Sequence, residues 1–140
     1  MRPTRTRLAL VILAAVSAAA MLYVGLFQIG WVAHLACPGF GSGCESVALS
    51  AFAWPFGLAD GLLGAALCGI LAALALVPRR EAAAAGIGLS AAWLMLNLLG
   101  LSQMQKLGAF CFWCTLVAAL SVPLLALAMI SARDPVPQGS

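Results

Sequence analysis

Charge is the scarcest property of this sequence, because Asp, Glu, Lys and Arg make up 8% of its 140 residues while 64% are apolar. Soluble domains carry roughly 25% charged residues, so the composition excludes an ordinary soluble protein. The few charges are clustered, and they leave uncharged runs at 8–44, 61–78, 82–105 and 107–132. A helix of about 20 apolar residues crosses a bilayer, so each run is a candidate for a membrane-spanning segment.

Lipid cannot hydrogen-bond free backbone groups, so apolar runs of this kind must be helical. We predict an all-α membrane protein, a bundle of four transmembrane helices at roughly 8–30, 57–77, 82–104 and 111–131. Any catalytic domain must therefore be this four-helix bundle, residues 8–131, which leaves no room for a separate soluble domain.

Six of the seven basic residues, all arginines, mark one side of the predicted bundle. They lie before the first helix, in the 78–81 turn and after the fourth helix, at Arg2, Arg5, Arg7, Arg79, Arg80 and Arg133. By the positive-inside rule, the N-terminus (1–7) and a flexible polar tail (132–140) lie in the cytoplasm, and the loop at 31–56 faces outward, toward the periplasm. We therefore expect a multi-pass protein of the inner, cytoplasmic membrane.

Acidic residues are absent from the middle of all four predicted helices, since Asp60 lies near the outer end of the second. Proton-coupled transporters commonly need an ionisable group inside a span, so the pattern counts against a small transporter. The inward segments 1–7 and 78–81 also lack cysteine. That absence counts against a conduit that carries reducing equivalents across the membrane, which we keep as an alternative function.

Four of the five cysteines fall on the predicted outward side, where disulfides persist. Cys37 and Cys44 are separated by six residues that include three glycines and a proline. Their sulfurs can bond if the Cα atoms come within about 4.4–6.8 Å. Cys111 and Cys114 form a Cys-x-x-Cys motif that opens the fourth helix. The fifth, Cys68, lies in the middle of the second predicted helix and has no partner cysteine in the sequence. It is predicted to be buried as a small apolar residue.

The Cys-x-x-Cys motif is placed for thiol–disulfide exchange beside lipid. Cys111 lies at a helix N-terminus, where unpaired amides favour a thiolate, and Cys114 lies one turn deeper. Cys114 is then the sulfur closest to the hydrocarbon, where the tail of a quinone would partition, and Phe112 and Trp113 are expected to help line an apolar pocket there. Asn97, a polar group at membrane depth, either bonds to another helix or faces the bound ligand.

Two further expectations concern the outward loop. Val47, Ala51 and Trp54 recur at helical spacing, which predicts a short amphipathic helix from Glu45 to Trp54 at the periplasmic interface. Four thiolates can also bind zinc, but zinc knuckles usually contain two Cys-x2–4-Cys units, and six residues separate the first pair here. We predict no metal site, with a cysteine-ligated metal-binding membrane protein as a further alternative.

The order of these motifs resembles the bacterial homologues of vitamin K epoxide reductase. A loop cysteine pair lies between the first two predicted helices, Ser50 follows Cys44 by six residues, and Cys-x-x-Cys opens the fourth helix. The DsbB type of quinone-linked thiol oxidase has the opposite order. The stretch Gly-Cys-Glu-Ser-Val-Ala-Leu-Ser at 43–50, with Phe-Gly at 56–57, is similar to the family's loop and half-helix signature, and Cys-Phe-Trp-Cys at 111–114 is similar to its active-site motif. The resemblance covers roughly 8–131.

The resemblance implies a membrane thiol:quinone oxidoreductase that supports disulfide-bond formation. A periplasmic thioredoxin-fold, DsbA-like protein hands electrons to the Cys37–Cys44 disulfide, and reduced Cys44 attacks Cys111. Released Cys114 then reacts with ubiquinone or menaquinone. Ser50 matches the family's small hydroxyl residue, which steadies the loop helix or the ligand site. No nucleic acid is expected as a partner.

The sequence departs from the family pattern in three places. Vertebrate members carry a tyrosine four residues after the second cysteine of the motif, where this chain has Ala118, and an asparagine in the second span, which contains none here. We therefore expect an ordinary quinone rather than vitamin K epoxide as the substrate. Some bacterial members carry a fused thioredoxin-like domain, and its absence before Ser140 predicts a redox partner that is a separate protein.

Overall fold

The computed structural model describes residues 4–134, and all the regular secondary structure in that range is helical, with no β-strand. Its five α-helices are α1 Arg5–Gln28, α2 Gly43–Ala48, α3 Asp60–Leu76, α4 Arg80–Leu107 and α5 Phe112–Ser131. Two 3₁₀ turns, Ala51–Ala53 and Pro55–Gly57, connect α2 to α3. Residues 1–3 of the predicted cytoplasmic N-terminus and 135–140 of the predicted tail lie outside the described residues.

The all-α prediction is confirmed, and the four long helices begin and end within three residues of their predicted bounds. Within the described range, α1, α4 and α5 are long and apolar enough to cross a membrane. Helix α3 is equally apolar but has only 17 residues. The structure thus contains three candidate membrane-spanning helices and one shorter apolar helix.

The four long helices pack as a ring, in which α1 contacts α3 and α5, and α4 contacts the same two helices. Two clusters of buried side chains fill the interior. The mid-helix cluster contains Leu10, Ala14, Ala20, Met21, Cys68, Leu71, Trp93, Val117, Leu124 and Ala128. The cysteine-side cluster contains Val24, Leu35, Cys44, Val47, Ala48, Met104 and Cys111. Cys68 is fully buried in the mid-helix cluster, which confirms the prediction made for it.

Helix α4 ends at Leu107 because the next residue, Gly108, adopts a left-handed conformation with φ of 73°. The Gly108 N–H donates to the carbonyl of Met104 at 3.0 Å, which satisfies a group at the helix end. Lys106 in the last turn also suits the negative end of the helix dipole. The chain therefore turns back within four residues, and α5 begins beside the end of α4.

The backbones of helices α1 and α3 are in close contact at Gly25 and Gly61. A Cβ atom added to Gly61 would lie 2.7 Å from the Cα atom of Gly25, which is closer than such atoms can pack. Small residues at helix contacts allow this approach in membrane bundles. The contact holds the start of α3 against the end of α1.

We expect Gly61→Ala to lower the free energy of unfolding by about 1–3 kcal/mol, because the added methyl group forces α1 and α3 apart. Gly69→Ala is the matched control on the same helix, since nothing lies within 4 Å of the methyl group that it adds. Melting in detergent, followed by tryptophan fluorescence, measures the difference. Equal melting temperatures for the two variants would contradict this close-contact argument.

The predicted amphipathic helix from Glu45 to Trp54 is wrong in extent and in character. Helix α2 ends at Ala48, and Ser50 is extended, with φ of −71° and ψ of 157°. The Ser50 hydroxyl donates to the carbonyl of Val47, so a side chain replaces the next helical hydrogen bond. Val47 is buried whereas Ala51 is exposed, and the expected apolar stripe therefore does not form. Helix α2 is a packing element of the cysteine-side cluster.

Candidate functional site

The loop cysteines form a disulfide, with Cys37 Sγ and Cys44 Sγ 2.13 Å apart and the two Cα atoms 5.6 Å apart. The intervening chain turns back through Gly39 and Gly41, whose φ values of 80° and 60° suit glycine. Cys37 is half-buried, whereas Cys44 is completely buried in the cysteine-side cluster. A protein thiol arriving from solvent therefore meets Cys37 first.

The Cys-x-x-Cys pair lies at the start of α5, with both thiols free. Cys111 immediately precedes the helix and caps it, because its Sγ accepts the Cys114 N–H at 3.3 Å. The pKa of Cys111 lies below the ordinary value of a cysteine thiol, chiefly because the Cys114 side chain hydrogen-bonds to its sulfur, although burial acts in the opposite direction. Cys111 is thus the sulfur of this pair that is favoured as a thiolate.

The two cysteine pairs meet where α2 packs on α5. The main-chain N–H of Phe112 donates to Cys44 Sγ across 3.1 Å, although 68 positions separate the two residues. A Cβ atom on Gly43 would lie 3.2 Å from the carbonyl carbon of Phe110, so only glycine permits this approach without a shift. The buried sulfur of the loop disulfide is therefore held beside the Cys-x-x-Cys motif.

Trp113 and Tyr23 hold the loop on the other side of its disulfide. The indole Nε1–H of Trp113 donates to the Ala36 carbonyl at 2.6 Å, and the Ala36 N–H donates to the Tyr23 hydroxyl at 3.0 Å. The two rings pack edge to face with their centroids 5.3 Å apart. The backbone N–H and C=O of Ala36 are therefore both hydrogen-bonded, which fixes the backbone immediately before Cys37.

A cavity of about 320 Å³ lies between α1, α3 and α4, and the Cys114 side chain reaches it from α5. Its walls are largely apolar, with Met21, Leu63, Leu67 and Trp93 among them, and Phe52 and Pro55 cover it from the loop. Besides Cys114, three polar side chains line it: Asp60, Asn97 and Gln103. The cavity is therefore an apolar chamber with a thiol and a few polar groups, the usual composition of a small-molecule site.

The structure brings together only some of the predicted ligand-contacting residues. Cys114 and Asn97 line the cavity, and the Asn97 amide also donates to the Trp93 carbonyl one turn earlier at 2.8 Å. Phe112, Trp113 and Ser50 are not among its lining residues. Phe112 packs near Phe40 and Trp113 bonds to Ala36, so both side chains face the loop, and their ligand contacts stay predictions.

Gln28 and Asp60 organise the site, although no motif in the sequence assigns them a role. The Gln28 amide nitrogen donates to the Asp60 carboxylate at 2.8 Å and to the Ala48 carbonyl at 3.0 Å. Its amide oxygen accepts the Gly61 N–H at 3.0 Å. One buried side chain thereby joins α1, the end of α2 and the start of α3. The sequence offers one indication of this role, because Gln28 is the one side-chain amide in the first uncharged run, 8–44.

Residues 4–134 contain no group of three or more His, Cys, Asp and Glu side chains placed to hold a metal ion. A zinc site of four thiolates would need the sulfurs of Cys37 and Cys44, and these two sulfurs are bonded to each other. Glu45 instead accepts the Leu35 N–H at 3.2 Å, and His34 Nδ1 lies 3.8 Å from its carboxylate. These loop groups serve local structure.

Comparison with known proteins gives one family match. The profile of the vitamin K epoxide reductase family matches residues 8–129, which is most of the chain and includes both cysteine pairs. No curated protein and no solved structure gives a significant match. Membership of this family points to an oxidoreductase of the membrane, in keeping with the candidate spanning helices and the paired cysteines. The chain belongs to the vitamin K epoxide reductase family.

Proposed function

We propose that the chain is a membrane thiol:quinone oxidoreductase that reoxidises a thioredoxin-fold, DsbA-like protein. One observation carries the proposal: the four cysteines extend from the half-buried Cys37 of the loop to a largely apolar cavity in the bundle. Cys37 is half-buried at the loop, Cys44 and Cys111 are fully buried beside the Phe112 amide, and Cys114 lines the cavity. Such an arrangement separates a protein donor from a small lipid-soluble acceptor.

In this proposal all four long helices cross the inner membrane. The 17 residues of α3 fall at the lower limit of the roughly 17–25 that span a bilayer, and α3 packs between α1 and α4. The arginines before α1 and at the turn into α4 favour a cytoplasmic location for those ends. The loop disulfide then faces the periplasm, where a separate DsbA-like donor can reach it.

The proposed relay consists of two thiol–disulfide exchanges. A donor thiolate attacks Cys37 Sγ, the bond to Cys44 breaks, and the electron pair leaves on Cys44. The second donor thiolate then attacks the donor sulfur of this mixed disulfide. Cys37 leaves as a thiolate, and the donor departs as a disulfide. Cys44 next attacks Cys111 of an oxidised Cys111–Cys114 pair, so that Cys114 leaves as a thiolate. Attack of Cys37 on Cys44 restores the loop disulfide and frees Cys111.

The pattern after these exchanges is a closed loop disulfide with two free thiols at the start of α5. This is the pattern in the structure, in which Cys37 and Cys44 are bonded while Cys111 and Cys114 are free. Cys114 is the thiol that reaches the cavity, and Cys111, with its lowered pKa, is suited to close the disulfide with Cys114 as the electrons leave. The chain is thus arranged to deliver two electrons.

The cavity fits a quinone headgroup, since about 320 Å³ lies within the usual range of roughly 300–1,000 Å³ for small-molecule sites. A quinone bound there would supply an acceptor for two electrons and two protons and leave as a quinol. Asn97 and Gln103 offer amide groups to its polar oxygens. Asp60, held by Gln28, is the one acidic side chain in the lining and is the candidate to transfer a proton.

The test is quinone reduction by the purified protein in detergent, with a reduced thioredoxin-fold protein as the donor. We expect one quinone, ubiquinone or menaquinone, to be consumed per donor dithiol oxidised, because each cycle transfers two electrons. Quinone absorbance and donor thiol titration measure the two quantities, and the Cys111→Ala variant is the control. No turnover with either quinone, from folded protein with free Cys111 and Cys114, would refute the proposal.

A further inference from the structure

The environments of the two sulfurs in the loop disulfide differ. Cys37 is half-buried, and its Sγ accepts the Cys44 N–H at 3.2 Å, a contact within the loop. Cys44 Sγ is completely buried, and the hydrogen bond that it accepts comes from the Phe112 N–H at 3.1 Å. Water can solvate a thiolate at Cys37. A thiolate at Cys44 depends on the donor that the protein supplies, because an unpaired buried charge is strongly disfavoured.

The Phe112 amide is free to serve this purpose because of its position in the helix. Phe112 is the first residue of α5, and the first four N–H groups of an α-helix have no partner within the helix. Hydrogen bonds to a charged acceptor are stronger than those to a neutral one. The same contact therefore stabilises Cys44 more when its sulfur is a thiolate than when it is part of a disulfide.

We propose that the main-chain N–H of Phe112 stabilises Cys44 as the thiolate that leaves when the loop disulfide is attacked. The inference deepens the proposed function, on which it rests, by assigning a group to one step. A donor thiolate bonds to Cys37 Sγ, the Cys37–Cys44 bond breaks, and the electron pair remains on Cys44 Sγ beside the Phe112 amide. The contact thereby directs the donor to Cys37 and holds the Cys44 thiolate next to Cys111.

Proline at position 112 removes this N–H without disturbing the start of the helix. Proline is well accepted as the first residue of a helix, where its missing N–H has no helical partner. The preceding residue must be extended, and Cys111 already has φ of −98° and ψ of 125°. Phe112→Ala is the matched control, because it removes the same ring and keeps the N–H.

The experiment measures the redox equilibrium of the loop disulfide against glutathione, in a Cys111→Ser, Cys114→Ser background that isolates Cys37 and Cys44. We expect Phe112→Pro to make the disulfide about tenfold less oxidising than Phe112→Ala, which corresponds to about 30 mV for a two-electron couple. The difference in redox potential between the two variants should vanish well below pH 8.5, where cysteine thiols are protonated, and should grow above that pH. Glu45, His34 and Asp60 are the same in both variants, so their titration cancels.

Equal potentials for the two variants at every pH would overturn the inference, and so would a difference that does not change with pH, since lost packing has no such dependence. If Phe112→Pro does not fold, the glutathione adduct in the same Cys111→Ser, Cys114→Ser background gives a second measurement. We expect the adduct on Cys37, and an adduct mainly on Cys44 would overturn the inference. Neither measurement uses quinone or a protein partner, so either can fail independently of the proposed function.

Discussion

Replacing Cys114 with alanine is expected to abolish quinone reduction, with a loss of at least about 10³-fold, the scale seen when a covalent nucleophile is removed. Cys114 is the sulfur that lines the cavity, whereas Cys111 is completely buried beside the loop. Without Cys114, electrons that reach Cys111 have no thiol from which to enter the cavity. Steady-state quinone absorbance, with a reduced thioredoxin-fold donor, measures the loss.

Cys68→Ala is the matched control for this prediction, because it removes a thiol from the same bundle without touching the relay. Cys68 is fully buried in the mid-helix cluster and does not line the cavity. We expect the Cys68→Ala variant to reduce quinone at the same rate as the unmodified protein under conditions where both are folded. If the Cys114→Ala variant is active, the proposed contact between this sulfur and the acceptor is wrong.

Replacing Cys37 with alanine is expected to separate two kinds of electron donor. Turnover with a thioredoxin-fold protein should be lost, since Cys44 is buried and a protein thiol cannot reach it. Turnover with a small dithiol should persist, because Cys114 is only partly buried and such a reagent can reduce the Cys111–Cys114 disulfide directly. Parallel assays with the two donors, at matched rates for the unmodified protein, measure the ratio.

The informative outcome for Cys37→Ala is the contrast between donors rather than either rate alone. Cys111→Ala provides the comparison, since it is expected to lose activity with both donors. If Cys37→Ala loses activity equally with the protein and the small dithiol, the loop pair is not an entry point that can be bypassed. The division between a loop that receives electrons and a Cys-x-x-Cys that delivers them would then be wrong.

The polar side chains that line the cavity are not the fourth-span tyrosine and second-span asparagine of the vertebrate pattern. The tyrosine of that pattern corresponds to Ala118, which is buried in α5 and is not among the lining residues. Asp60 on α3, with Asn97 and Gln103 on α4, supplies the polar side chains instead. The polar groups that an acceptor in this cavity would meet therefore lie on α3 and α4.

The sequence was sufficient to predict the helices and to place four cysteines, as two pairs, on one predicted side of the bundle. Long uncharged runs leave helix as the one structure that lipid accepts, so the bounds of α1, α3, α4 and α5 were predicted within three residues. The spacing of Cys37 and Cys44 allowed a disulfide, and the position of Cys111 at the start of a helix followed from the edge of an apolar run. Both features depend on residues close together in the chain.

The tertiary structure alone decided which faces of those helices meet. Apolar helices in a membrane show little contrast between faces, so their periodicity does not tell which side chains point inward. The contact between the Phe112 amide and Cys44 joins residues 68 apart, and that between Gln28 and Asp60 joins residues 32 apart. Such contacts follow from how the helices and the loop pack, and for that reason Trp113 turned toward the loop and Asp60 toward the cavity.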